Sequence, residues 1–310
     1  MRPTSRATAN IGDILFKYFT AMFAVAILLI VCLMGYEMYK GSLPSLQKFG
    51  LNFLTGSTWD PVAEEYGALP FIFGTLGSSM LALLIALPLG FSTAILLSEL
   101  APRWMEPSLS FVVELLAAIP SIVYGLWGIF VLVPWLRVSV EPFLSRSLGF
   151  LPFFGGTPYG FGMMAAGLIL AIMILPIIIS ISRDVLKAIP ASQREAALAL
   201  GATKWESTII VVSGAKSGMF GAALLGLGRA VGETMAVTMV IGNRAEISSS
   251  LFSPAASMAS VIANEFSEAT SPMYVSSIIE IALLLFVVTI VLNALARGIV
   301  WSTTKRFKTA

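Results

Sequence analysis

Six runs of about twenty or more apolar residues punctuate this chain, at about 15–38, 69–98, 108–136, 161–182, 216–242 and 275–299, and each is long enough to cross roughly 30 Å of hydrocarbon as a helix. Such a chain has few options, because every backbone N–H and C=O in the hydrocarbon must find a partner within its own segment. The reading is an all-α integral membrane protein with six transmembrane helices. Composition agrees: 57% of the 310 residues are hydrophobic and 12% charged, with mean hydropathy +0.90, against about 25% charged in soluble domains. The first run follows Arg2 and Arg6, but it is too long for a signal peptide and lacks a small-x-small cleavage pattern, so it reads as an anchor. Pro88, Pro120 and Pro176 fall inside runs and predict kinks.

Orientation follows from the loop cations. Arg2, Arg6, Lys17, Arg103, Arg183, Lys187, Arg194, Lys204, Lys216, Arg297, Lys305, Arg306 and Lys308 lie on one side, 13 in all, against 5 on the other (Lys40, Lys48, Arg137, Arg146 and Arg244). Both termini are therefore expected in the cytoplasm. Residues 1–14 and 301–310 read as cytoplasmic ends, and 15–300 as one transmembrane domain with its core at about 69–300. The stretches 39–68 and 137–160 read as external loops, where Trp59 and Tyr66 suit the interface.

Several chemistries are excluded. Histidine is absent and Cys32 is the single cysteine, so there is no soft-metal cluster, no imidazole base and no intrachain disulfide. No G-x-x-x-x-G-K-S/T phosphate loop occurs, GATKWEST lacking its spacing, and Gly226-Leu227-Gly228 falls inside an apolar run. The chain is read as neither an ATPase nor any other enzyme.

The segment 183–217 is the largest on the basic side. Ser192 with Glu195 forms a capping box, Gly201 suits a left-handed stop, and Thr203 with Glu206 repeats the box. The pattern predicts a helix of about two turns, a tight turn, and a second helix running on into the fifth span. A short helix held rigidly to a span is a lever for a partner; the alternative is a helix lying on the lipid surface.

Span five carries the costliest residue. Arg229 lies 13 residues from both Lys216 and Gly242, about 20 Å from each end, and a mid-bilayer cation costs about 2.5–3.5 kcal/mol on insertion scales. Guanidinium keeps its charge on burial and fits tetrahedral oxyanions with a planar fork. Glu233, four residues on, is placed either to neutralise it or to release it to a passing anion. Gly214, Gly218, Ala222 and Gly226 form a small-residue stripe for close helix packing. Among polar span residues, Thr234, Ser121 and Ser78 are the candidate pathway lining, with Glu114 and Glu280 placed in spans three and six.

The run EAALALG, with Glu195, Ala196, Ala197 and Gly201, resembles the EAA signature of permeases of ATP-binding-cassette (ABC) importers. Val211, Val212, Ser213 and Gly214 stand where that signature continues with Ile-x-Leu-Pro. Further stretches are similar to the PstC-type permease family of phosphate-specific importers: QKFGLNFL, GALPFIFGTL, SELAP, VELLAAIPSIVYGLWG, GLILAIMILP, GLGRAVGETMAVTMVIGN and ANEFSEA, in order over about 45–300. The resemblance implies a type I importer permease fold in a bacterial inner membrane, with Glu195, Ala196, Ala197 and Gly201 on a coupling helix that docks on an ATPase. It implies Arg229 and Glu233 in the anion pathway. It also implies a PstA-type permease as heterodimer partner, two ATPase subunits that bind ATP and Mg, a periplasmic phosphate-binding protein, and no cofactor on this chain. A permease for sulfate or molybdate is the neighbouring reading. An ion-coupled carrier is the distant one, and it lacks the inverted repeat that class shows.

Overall fold

The computed structural model describes residues 11–308 apart from Arg103, without the side chains of Ile11, Ala296 and 299–308. Arg2, Arg6 and Arg103, and the side chains of Lys305, Arg306 and Lys308, therefore lie outside the described residues. The first helix, α1 (Ile11–Phe49), leads through α2 (Asn52–Thr55) to a small antiparallel hairpin of β1 (Trp59–Asp60) and β2 (Glu65–Tyr66). Helix α3 (Leu69–Ile95) passes through Pro88 and ends in a widened turn, Leu96–Leu100. Then come α4 (Met105–Ala118), α5 (Ser121–Trp127), α6 (Val133–Trp135) and α7 (Glu141–Leu148), the last three joined by widened turns into one span. The remaining helices are α8 (Met163–Lys187), α9 (Ala191–Ala199), α10 (Lys204–Val231), α11 (Met235–Val240), α12 (Met258–Glu265) and α13 (Pro272–Lys308).

Among the described residues six helices are long and apolar enough to cross a membrane, but the third and fifth differ from the sequence expectation. Pro120 breaks the chain completely. It lacks an N–H and disfavours helical geometry at Ile119, which is extended at ψ 127°. The third span is therefore Ser121–Leu148, and Glu114 sits on the separate helix α4. The fifth span ends at Val231, about three turns before the apolar run does. Helical structure continues to Leu148, well into the expected external loop, and α13 runs on to Lys308.

Helix α8 is the hub, with 67% of its apolar window buried. It packs against α3, α5 and α11 around Ile169, Leu170, Ile174 and Ile178. The glycine stripe of α10 is used here: a Cβ on Gly218 would lie 2.4 Å from Val185, and one on Gly226 3.1 Å from Ile178. Those two pairs fix α8 and α10 as antiparallel neighbours, backbone against side chain, which is how small residues earn their place in membrane helices. A second cluster lies under the hairpin. There Trp59 is edge-on to Tyr66 and Phe71, and its Nε1 donates to Glu265 Oε2 at 2.7 Å. Tyr66 is 4% exposed. These two aromatics hold the domain together internally and are not interfacial anchors.

Helix α1 docks on α13 through a repaired backbone defect. Pro44 lies inside α1 and weakens the hydrogen-bond ladder around it. The Ser276 hydroxyl fills the gap, accepting from Ser45 N at 3.1 Å and donating to Gly41 O at 2.9 Å. Both backbone groups are thus satisfied across the helix interface, where an orphaned polar group costs about 1–3 kcal/mol.

Candidate functional site

Helix α9 is built as a rigid lever. It begins two residues earlier than the capping-box reading: Pro190 is the N-cap, Ala191 the first helical residue, and no side chain caps it, so the Ser192–Glu195 box does not form. Pro190 supplies a fixed φ ahead of the first turn, and Ser192, two residues on, is already inside the helix and cannot cap it. The C-terminal reading is matched. Gly201 has φ +87°, its N–H donates to Leu198 O at 3.0 Å, and Ala202 N–H donates to Ala197 O at 3.1 Å, the paired bonds of a Schellman stop. The Thr203–Glu206 box is also present and starts α10. Glu195 and Ala196 are exposed and Ala197 faces inward. Leu198, Leu200 and Trp205 stand 52%, 90% and 60% exposed around the turn.

A clamp not anticipated from the sequence fastens this lever. Arg194 donates twice to Glu99, from Nε to Oε2 at 2.9 Å and from Nη2 to Oε1 at 2.7 Å, and also to Ile189 O and Leu186 O. One guanidinium therefore ties α9, the end of α8 and the widened turn after α3. Glu99 is only 8% exposed. The fork geometry makes such a pair directional as well as charged. Nearby, α4 is stapled to the same end of α8 by Glu106 with Lys187 and Glu114 with Arg183. The stretch SELAP contains Glu99, but the separation of 95 residues hides its partner.

Arg229 occupies the last turn of α10, and the chain breaks directly after it at Gly232, Glu233 and Thr234. Because Gly226 meets Ile178 and Ile174 of α8, Arg229 stands level with the middle of that 25-residue helix, about 18 Å from either end. It is exposed on the subunit surface, and no carboxylate lies within ion-pair distance among the described residues. The expected i,i+4 pair with Glu233 is thus absent, since the two residues do not share a helix. Each charge instead sits at a favourable helix end. Arg229 faces the negative C-terminus of α10, and Glu233 Oε1 accepts from Ala236 N–H at 3.3 Å in the first turn of α11. Non-helical backbone at this depth is tolerated where it is buried in protein or lines a watery cavity.

The remaining candidates separate. Thr234 borders the break and lines an apolar cavity of about 430 Å³ between it, α1, α12 and α13. Ser121 opens α5 and is half-buried. Ser78 is 2% exposed with its hydroxyl donating to Gly74 O at 2.7 Å, so it belongs to the core of α3 and not to the surface that Arg229 shares. Tyr124 is buried beside α11 and donates to Leu116 O. Glu280 is buried between α1 and α13, away from this surface.

This architecture has relatives. Residues 86–301 match the family described as "Binding-protein-dependent transport system inner membrane component". The phosphate transport system permease protein PstC of Haemophilus influenzae is 47% identical over 288 residues, 91% of each chain. The one from Mesorhizobium japonicum is 45% identical over 92% of this chain and 89% of that one. A probable PstC of Methanocaldococcus jannaschii is 35% identical over 90% of both. Among solved structures, a chain of the MetNI methionine ABC transporter in an inward-facing conformation superposes with TM-score 0.50 at 20% identity, covering 76% of this chain and 94% of that one. That likeness speaks to the fold, a type I ABC importer permease. Family model, relatives and fold agree: this chain belongs to the binding-protein-dependent transport system inner membrane components, and within them to the PstC-type permeases.

Proposed function

We propose that this permease forms one half of the membrane pathway of an ATP-driven importer of inorganic phosphate. The observation that carries the reading is Arg229: a guanidinium at mid-membrane depth, exposed on the subunit, beside a helix break and with no carboxylate in ion-pair distance among the described residues. A cation so placed is stable only against a partner or a polar pathway, and its fork fits phosphate oxygens. The names of the relatives supply the anion. Glu233 and Thr234 line the break beside it, with Ser121 as a more distant lining residue. Glu195, Ala196, Ala197 and Gly201 form the coupling helix on which an ATPase subunit docks, the exposed Leu198 and Leu200 giving it an apolar grip.

In this reading the chain binds no nucleotide and needs no cofactor. ATP and Mg belong to two ATPase subunits, a PstA-type permease completes the pathway, and a periplasmic binding protein delivers phosphate. Tagged permease purified from bacterial inner membranes should bring down all three kinds of subunit, and the reconstituted complex should accumulate phosphate only with ATP. Accumulation of sulfate or molybdate in preference to phosphate would overturn the substrate, and ATP-independent uptake would overturn the mechanism. Orientation has its own measurement. With the exposed Cys32 replaced, cysteines at Ser192 and Ser145 should react with an impermeant label from the cytoplasmic and outer faces respectively, and labelling of both from outside would break the topology.

A further inference from the structure

A second cation stands in a pocket at the far end of the molecule. The pocket measures about 480 Å³ and is lined by Arg137, Tyr159, Thr238 and Asn243 among others. It lies where α8 begins, since Gly162 N–H donates to Val240 O at 3.1 Å. The coupling helix lies where α8 ends, 25 residues away, about 37 Å along the axis.

The pocket is assembled, not incidental. Arg137 and Glu141 are four apart along the third span, yet Glu141 is 1% exposed and spends its carboxylate on Gly160 N–H at 2.9 Å. That bond draws the loop carrying Tyr159 across the Arg137 stem, so closely that a Cβ on Gly160 would lie 2.9 Å from Arg137 Cβ. Gly160 adopts φ +79° to make the turn. Arg137 itself has no carboxylate within ion-pair distance among the described residues. On the other wall, Asn243 at φ +51° donates its Nδ2–H to Thr238 O at 2.8 Å, leaving its amide oxygen and second N–H toward other partners. The result is a concave site with an uncompensated guanidinium, a phenol and an amide, lacking any acidic lining residue.

We propose that this pocket is an outer receiving site for a tetrahedral oxyanion, occupied before the anion reaches Arg229. The inference rests on the phosphate-importer reading, which supplies the anion and makes this end the outer one. Thr238 gives the route: its hydroxyl bonds to Thr234 O at 2.7 Å, so α11 carries one edge of the pocket directly to the helix break beside Arg229. Two guanidinium sites along one path divide the desolvation of the anion into two steps, each compensated by charge-assisted hydrogen bonds.

The test uses the full complex in proteoliposomes, with phosphate-loaded binding protein outside and ATP inside. Arg137→Gln should lower uptake at limiting loaded binding protein about tenfold, with binding-protein capture and subunit assembly unchanged. Arg137→Lys should recover part of the rate, as a charge without a fork. Arg146→Gln, a cation of the same region outside the pocket, should behave as wild type. Tyr159→Glu, on an exposed loop, places an anion at the mouth without touching the core and should depress uptake in the same way, which keeps the question answerable should Arg137→Gln fail to assemble. Normal uptake by Arg137→Gln and Tyr159→Glu overturns the receiving site while leaving the importer reading intact. Loss of binding-protein capture makes the pocket a docking surface and also overturns it. Absence of phosphate uptake by the wild-type complex defeats the importer reading instead.

Discussion

Arg229→Gln is expected to cut phosphate uptake about 100-fold while leaving the assembled complex intact. Two charge-assisted hydrogen bonds to a desolvated phosphate are worth together roughly 3 kcal/mol, and about 1.4 kcal/mol corresponds to a factor of ten. Assembly should survive because the guanidinium is exposed on the subunit and its removal leaves no buried carboxylate behind. Lysine at this position should rescue only part of the loss, being a point charge without the planar fork. The geometry also settles what the double variant should do. Arg229 and Glu233 lie on opposite sides of a helix break and form no ion pair, so Glu233→Gln should not restore the uptake that Arg229→Gln removes. Initial-rate uptake by reconstituted complexes measures both. Near-normal transport by the double variant would mean that the two charges exist to neutralise each other, and the pathway role of Arg229 would fall.

Breaking the clamp at the other end should separate ATP hydrolysis from transport. Arg194→Ala removes four hydrogen bonds at once and strands Glu99 at 8% exposure. Losing one partner of a buried pair costs about 3 kcal/mol. The spans do not depend on this contact, but the seating of α9 against α8 and α3 does. The expected result is an ATPase that still hydrolyses ATP in the complex while phosphate transported per ATP falls several-fold. Arg194→Lys should restore little, since an ammonium cannot hold both carboxylate oxygens and two carbonyls. Gly201→Asp probes the same lever from its surface. The site has open space around it but a left-handed backbone, so the substitution costs about 1 kcal/mol of strain and adds a charge to the surface proposed to dock the ATPase. It should weaken ATPase co-purification. Unchanged coupling ratio in Arg194→Ala, together with normal ATPase capture by Gly201→Asp, would remove α9 from the transmission path.

The elements that proved legible in the sequence were those governed by local rules. Apolar run length located all six spans, because hydrocarbon leaves a backbone no partner but itself. The αL stop at Gly201 and the Thr203–Glu206 box were readable because each involves residues within a single turn. The depth of Arg229 was readable by counting residues, and the glycine stripe of α10 by its interval of four. Helix continuity was less accessible. An apolar run does not report whether its hydrogen-bond ladder is unbroken, so the interruption at Pro120 and the one at Gly232–Thr234 were absorbed into longer spans.

Only the tertiary structure decided which charges meet. Sequence spacing offered Glu233 as the partner of Arg229, yet the break rotates the two apart and each turns to a helix end instead. Arg194 found Glu99 across 95 residues, and Arg137 forgoes Glu141, four residues away, because that carboxylate is engaged by a loop N–H. Ionic and hydrogen-bond partners in a membrane protein are chosen by which groups packing brings to the same depth, and depth is shared between helices distant in the chain. What the sequence by itself determined was the class of molecule and the level of its costliest residue; which surfaces those residues face is a property of how α8 gathers the other helices around it.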